Sequence, residues 1–96
     1  MGFPGRVGAP SREHVRDRLT QLLCEIAKIP REVVSESATI DEELRMESVA
    51  FIEIQVALED AYDIELDPVE VIELNEFGAI VDHVYARANH LPRRGA

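Results

Sequence analysis

Ser48 is the residue in this chain with the clearest chemical possibilities. It sits at the centre of the run Glu47-Ser48-Val49. A serine is a nucleophile only when a base reaches its hydroxyl. No histidine lies near it in sequence, and the glycines that frame a nucleophile elbow are absent. A hydrolase built on Ser48 therefore needs a base that the neighbouring residues do not offer. His14, His83 and His90 share no tight spacing and Cys24 has no cysteine partner, so a zinc site is not expected. Asp63, Glu65 and Asp67 alternate as in a calcium loop, but Pro68 occupies the glycine position and Leu74 the position of the closing glutamate. No glycine-rich phosphate loop occurs. Carboxylates are plentiful in a chain that is 30% charged, and a solvated acidic face accounts for them. What remains is a serine acted upon by another protein. At the first turn of a helix its backbone neighbours have free N–H groups, and the helix dipole favours a negative group there. A phosphate ester suits that position.

The elements that must hold Ser48 are helical. Val49, Ile52, Val56 and the pair Ala57/Leu58 recur at three- and four-residue steps, which predicts a helix from Ser48 to about Ala61 with Ser48 able to cap it. Glu53, Glu59 and Asp60 fall off that stripe and are free to face water or a partner. Upstream, Ser11 offers a cap, and Val15, Leu19, Leu22, Leu23, Ile26 and Ile29 predict an amphipathic helix from Arg12 to about Lys28. Arg12, Arg16, Asp17 and Arg18 lie on its wet side, and Pro30 ends it. Arg31 to Glu43 is a long connection whose apolar residues pin it down, with a turn of helix from Asp41 to Leu44. Asp63 to Asp67 alternates polar and apolar, but no second strand exists to pair with it, so it reads as a loop. Asp67 caps a short helix that opens at Pro68 and runs to about Leu74. Asn75 is placed to cap a last helix from about Glu76 to Ala88, with Phe77, Ile80, Val81 and Val84 inward and Gly78 tolerated in the first turn. The expected fold is all-α, a small four-helix bundle with a long first loop and a short third helix. Residues 1–10 and 89–96 read as disordered tails around one domain, 11–88.

Composition narrows the function. The 96 residues make one domain with a modest core, which disfavours a self-sufficient enzyme. The net charge is −9 and uneven: from Asp41 to Glu76 there are thirteen acids and one base, Arg45. That field repels nucleic acid and anionic membranes, and it speeds encounter with partners that carry basic patches. Cys24 excludes an internal disulfide and reads as a buried reduced thiol. No apolar run approaches a membrane span, the first ten residues lack a signal-peptide core, and Arg6 stands where a myristoylation signal takes Ser or Thr. A cytoplasmic monomer is expected.

The run Glu47-Ser48-Val49, then Ile52-Glu53-Ile54 and Val56-Ala57-Leu58-Glu59-Asp60-Ala61-Tyr62-Asp63-Ile64-Glu65-Leu66, resembles the acyl carrier proteins. Their pattern is an acidic residue, serine and an aliphatic residue, continuing to A-L-E-E-x-F-x-I-x-I/L. Phe77 to Val84 is similar to the family's last helix, and the resemblance covers roughly Arg12 to Ala88. It implies that Ser48 carries 4′-phosphopantetheine through a phosphodiester, installed by a phosphopantetheinyl transferase. The arm's thiol holds an acyl group as a thioester, presented to an acyl-loading ligase or acyltransferase and to a ketosynthase or other acyl-processing enzyme. The protein itself catalyses nothing. By the same resemblance, Glu47, Glu53, Glu59 and Asp60 match acidic recognition residues. Val49, Ile52 and Val56 match apolar positions beside the arm, where partners dock or a chain is sheltered.

The chain departs from the family around the serine. Arg45 stands where glycine is common, Glu47 replaces aspartate, Ala50 stands where fatty-acid carriers have an acid, and Phe51 occupies a position expected near solvent. Phe51 either folds back on the bundle or offers an apolar contact to a dedicated partner. These departures favour a carrier of a specialised pathway, polyketide or fatty-acid-like, over the housekeeping carrier of fatty-acid synthesis. Peptidyl carriers usually place glycine and then histidine or aspartate before the serine, where this chain has Met46 and Glu47. The competing reading is an unmodified acidic helical interaction module in which Ser48 is only a helix cap.

Overall fold

The computed structural model describes residues 10–89, so the two tails lie outside the described residues apart from Pro10 and Asn89. Four α-helices form it: α1 (Arg12–Glu25), α2 (Ser48–Tyr62), α3 (Pro68–Leu74) and α4 (Phe77–Ala88). A 3-10 turn at Arg31–Val33 and a π-helical turn at Ile40–Leu44 interrupt the first loop. No β-strand occurs among the described residues; Thr39 and Glu76 form one isolated bridge. The all-α four-helix reading holds.

The core is one cluster fed by every helix. Val15, Leu19 and Leu23 of α1 meet Phe51, Ile54 and Leu58 of α2, Val71 of α3, and Phe77, Val81 and Val84 of α4. Most of the packing around α1 is against α4 and α2. Of the residues predicted from the 3.6-residue period, Val15, Leu19, Leu22 and Leu23 of α1 are buried, as is Ile29 beyond its end, and Ile26 just after the helix is half-buried.

Caps set two of the helix starts. Ser11 Oγ accepts from the His14 N–H at 3.0 Å, and Asp67 Oδ1 accepts from the Val69 N–H at 3.0 Å with Pro68 in the first turn. The first helix ends three residues short of the expected Lys28. Lys28 takes a left-handed conformation (φ 60°), and the Ile29 N–H donates to the Leu23 carbonyl at 3.1 Å, so the chain has turned before Pro30 is reached.

The start of α4 corrects one expectation. Glu76 holds its N-cap position and makes no side-chain cap, while Asn75 belongs to the end of α3 with φ 63°. The first loop satisfies the open N–H groups instead. The Phe77 N–H donates to the Ala38 carbonyl and the Gly78 N–H to the Glu36 carbonyl, both at 2.8 Å. Asn75 Oδ1 accepts from the Ile40 N–H at 3.1 Å, so its amide also fastens the loop. Gly78 is buried rather than merely tolerated: a Cβ there would lie 3.0 Å from the Glu36 carbonyl oxygen. Glu36 is also where α1 grips the loop. Arg12 and Arg16 pair with its carboxylate at 2.8 and 3.1 Å, and Arg12 reaches Asp82 of α4 as well. Two arginines placed on the wet side of α1 thus form a clasp between the loop and two helices.

Candidate functional site

Ser48 is the first residue of α2, and Glu47 holds the N-cap position with extended backbone (φ −75°, ψ 155°). Glu47 makes no side-chain cap, so the cap role expected of Ser48 is overturned on both counts: Ser48 is inside the helix, and no side chain closes this helix start. The first intrahelical bond runs from the Phe51 N–H to the Glu47 carbonyl at 2.9 Å. The N–H groups of residues 48–50 precede it and point out of the helix end. Ser48 is exposed and its hydroxyl makes no hydrogen bond among the described residues. Neither described histidine is a base for it. His14 Nδ1 lies 3.1 Å from the Tyr62 hydroxyl, and His83 Nε2 lies 3.7 Å from Glu70 Oε1; His90 lies outside the described residues. A hydrolase centred on Ser48 has no support in this geometry. No group of histidine, cysteine and acidic side chains among the described residues is placed to hold a metal.

The approach to Ser48 is strained. Arg45 ends the π-helical turn in the left-handed region (φ 48°), a conformation that favours glycine. An arginine in this conformation costs about 1 kcal/mol. Glu43 steadies the same turn. The Thr39 N–H and hydroxyl donate to its carboxylate at 2.9 and 2.7 Å, which holds its pKa below the usual glutamate range.

The two faces of α2 divide the predicted residues. At roughly 100° per residue, Phe51, Ile54, Gln55 and Leu58 share one side, and Val49, Ile52 and Val56 the other. The first set is buried and the second is not: Val49 is 69% and Ile52 47% exposed. The apolar stripe read from the sequence is thus split: Val49, Ile52 and Val56 face outward, suited to a partner and not to sheltering a chain, while Leu58 faces the core. Phe51 is corrected. It is 8% exposed and packs in the core, so it is no contact for a docking partner. Glu53 and Asp60 border the outward stripe and are exposed, as expected. Glu59 differs: it is half-buried, and its Oε2 accepts from the Leu66 N–H at 2.8 Å, pinning the α2–α3 loop. It is not free to face water or a partner.

Three residues escaped the sequence reading. Val69 and Ile72 of α3 are exposed apolar side chains, a second outward surface that their short helix was too brief to reveal by period. Gln55 is polar yet 6% exposed, with Oε1 buried and unpartnered among the described residues. Its placement three and four residues from Leu58 and Phe51 marks it as inward once that face is known. Cys24 is half-buried rather than fully buried.

A cavity of about 30 Å³ sits inside this bundle, lined by α1, α2, α3 and α4 and by Ile40, Leu44 and Met46 of the segment before Ser48. No helix among the described residues is long and apolar enough to cross a membrane.

Comparison with known proteins places this geometry. The family model described as "Phosphopantetheine attachment site" matches residues 17–84. A curated relative, the acyl carrier protein of Acidothermus cellulolyticus, is 28% identical over 76 residues, covering 79% of this chain and 90% of that protein.

Proposed function

The chain belongs to the acyl carrier proteins, whose domain takes a covalent 4′-phosphopantetheine and which are carriers rather than enzymes, and from that premise we propose that Ser48 is the residue that carries the arm. The observation that supports this choice is the exposed, unbonded hydroxyl of Ser48 at the open start of α2. A phosphodiester there meets N–H groups that have no intrahelical acceptor and the favourable end of the helix dipole. The family acts with a phosphopantetheinyl transferase and with acyl-processing enzymes. For this chain we take the carrier domain as residues 11–88, with an acyl group held as a thioester on the arm. An acyl-loading ligase or acyltransferase supplies it, and a ketosynthase or related enzyme consumes it.

Partners dock on the outward face of α2, where Val49, Ile52 and Val56 run beside Ser48 with Glu53 and Asp60 at their border. Apolar contact supplies affinity there and the acids supply orientation. The departures at Arg45 and Ala50 support a specialised pathway of polyketide or fatty-acid-like chemistry over housekeeping fatty-acid synthesis. The interaction-module alternative loses its footing, since it needed Ser48 to be a cap. Incubation with coenzyme A and a promiscuous phosphopantetheinyl transferase is expected to add one phosphopantetheine mass to the chain, and Ser48→Ala to abolish the gain. An unmodified wild-type chain, or a labelled Ser48→Ala chain, overturns the assignment.

A further inference from the structure

Arg45 has a strained backbone and a side chain with nothing to hold. Its backbone is left-handed (φ 48°, ψ 48°), and its N–H donates to the Ile40 carbonyl, so the turn before Ser48 fixes it in place. The side chain is exposed and forms no hydrogen bond or ion pair among the described residues. The acids around it are no partners. The Glu43 carboxylate is taken by Thr39, Asp41 Oδ1 accepts from the Asn75 amide at 3.3 Å, and neither Glu42 nor Glu47 pairs with the guanidinium. From Asp41 to Glu76 it is the one base beside thirteen acids. A non-glycine residue in such a conformation, with no contact that explains it, points to a role in function.

The role follows from where the side chain starts. Arg45 precedes Ser48 by three residues, so their Cα atoms are at most about 11 Å apart. The group that arrives at Ser48 with the arm is a phosphodiester, an anion. It is tethered, so its effective concentration beside the guanidinium is on the order of millimolar or higher. A carboxylate on a docking enzyme is there only while the complex lasts. A guanidinium matches phosphate because it keeps its proton and can reach two oxygens at once. The site also needs a cation. Glu47, next to Ser48, is exposed and makes no cap, so its carboxylate repels the phosphate that the open N–H groups of α2 attract. The thioester at the far end of the arm is held by no such proximity.

We infer that Arg45 is a positioning residue for the arm: its guanidinium pairs with the phosphodiester on Ser48 and fixes the root of the arm against the start of α2. The inference rests on the carrier reading of Ser48. The intact chain is prepared unmodified and with phosphopantetheine attached, as wild type, Arg45→Gln, Arg45→Gly and Arg45→Lys, and mass spectrometry verifies each form. Thermal unfolding gives the gain in melting temperature on attachment. Comparing the two forms of one variant cancels the relief of backbone strain that glycine brings to both. NMR follows the phosphorus nucleus and the Arg45 Nε–H. Attachment is expected to raise the melting temperature of wild type a few degrees more than that of Arg45→Gln or Arg45→Gly. It is also expected to shift the Arg45 Nε–H resonance. The phosphorus resonance should move in both variants and return part of the way in Arg45→Lys. The same gain in wild type, Arg45→Gln and Arg45→Gly, with an unmoved Nε–H resonance, overturns the inference and leaves the carrier reading standing. A wild-type chain that never gains the phosphopantetheine mass overturns both.

Discussion

Gly78 and Glu36 meet backbone to backbone: the Gly78 N–H donates to the Glu36 carbonyl at 2.8 Å, and the missing Cβ leaves the room for that approach. Through this contact the first loop becomes the cap of α4. Gly78→Ala is expected to lower stability by about 1–3 kcal/mol, because the Cβ presses on backbone that a rotamer change cannot move. Urea unfolding measures it. A variant as stable as wild type would show that the loop lies further from α4 than described.

The clasp around Glu36 gives a pH signature. The hydrogen bond from Arg12 is the largest influence on the Glu36 carboxyl; burial opposes it, and a weaker hydrogen bond from Arg16 adds to it, so the carboxyl is held below the usual glutamate range. A carboxylate with a lowered pKa adds stability above its unfolded value and loses it as pH falls through its folded value. The stability difference between wild type and Glu36→Gln is therefore expected in full at neutral pH, should begin to shrink below about pH 4, and should vanish only once the pH has fallen through the lower folded value. The side chain is 50% exposed, so the difference should stay under about 1 kcal/mol. Denaturant titrations across pH 3–7 that give a constant difference would contradict the clasp.

Phe51 and Ile52 are neighbours with opposite duties. Phe51→Ala removes a core ring and should cost about 3–5 kcal/mol, enough to unfold much of so small a domain. Ile52→Ala should change stability by less than about 1 kcal/mol and instead weaken transfer to a partner enzyme. Melting curves of both variants, with transfer assays on Ile52→Ala, separate the roles. A normal melt for Phe51→Ala would refute its burial.

The acids of α2 split in the same way. Glu53→Lys with Asp60→Lys should leave the melting curve nearly unchanged and slow productive encounter about tenfold at low salt, an effect that fades as salt rises. Glu59→Ala should instead cost about 1 kcal/mol, because the Leu66 N–H loses its acceptor. Salt-dependent transfer kinetics beside unfolding curves test both. An equal kinetic defect in all three positions, without loss of stability at Glu59, would restore Glu59 to the docking face.

Much of this protein was legible in its order of residues. The 3.6-residue periods of α1 and α4, the caps at Ser11 and Asp67 and the proline at the start of α3 are local, and local steric and hydrogen-bonding rules fix them wherever the rest of the chain lies. Ser48 at a helix start and the acidic block around it are equally local. Only the packed structure decides which side of α2 faces in, because that helix carries apolar residues on both sides and a period alone does not tell them apart. Packing thus sent Phe51 and Gln55 inward and left Val49 and Ile52 outside. It also gave Glu59, Asn75, Arg12 and Gly78 their tasks, since each partner lies across a turn or dozens of residues away in the chain. Such contacts exist only once the helices have met.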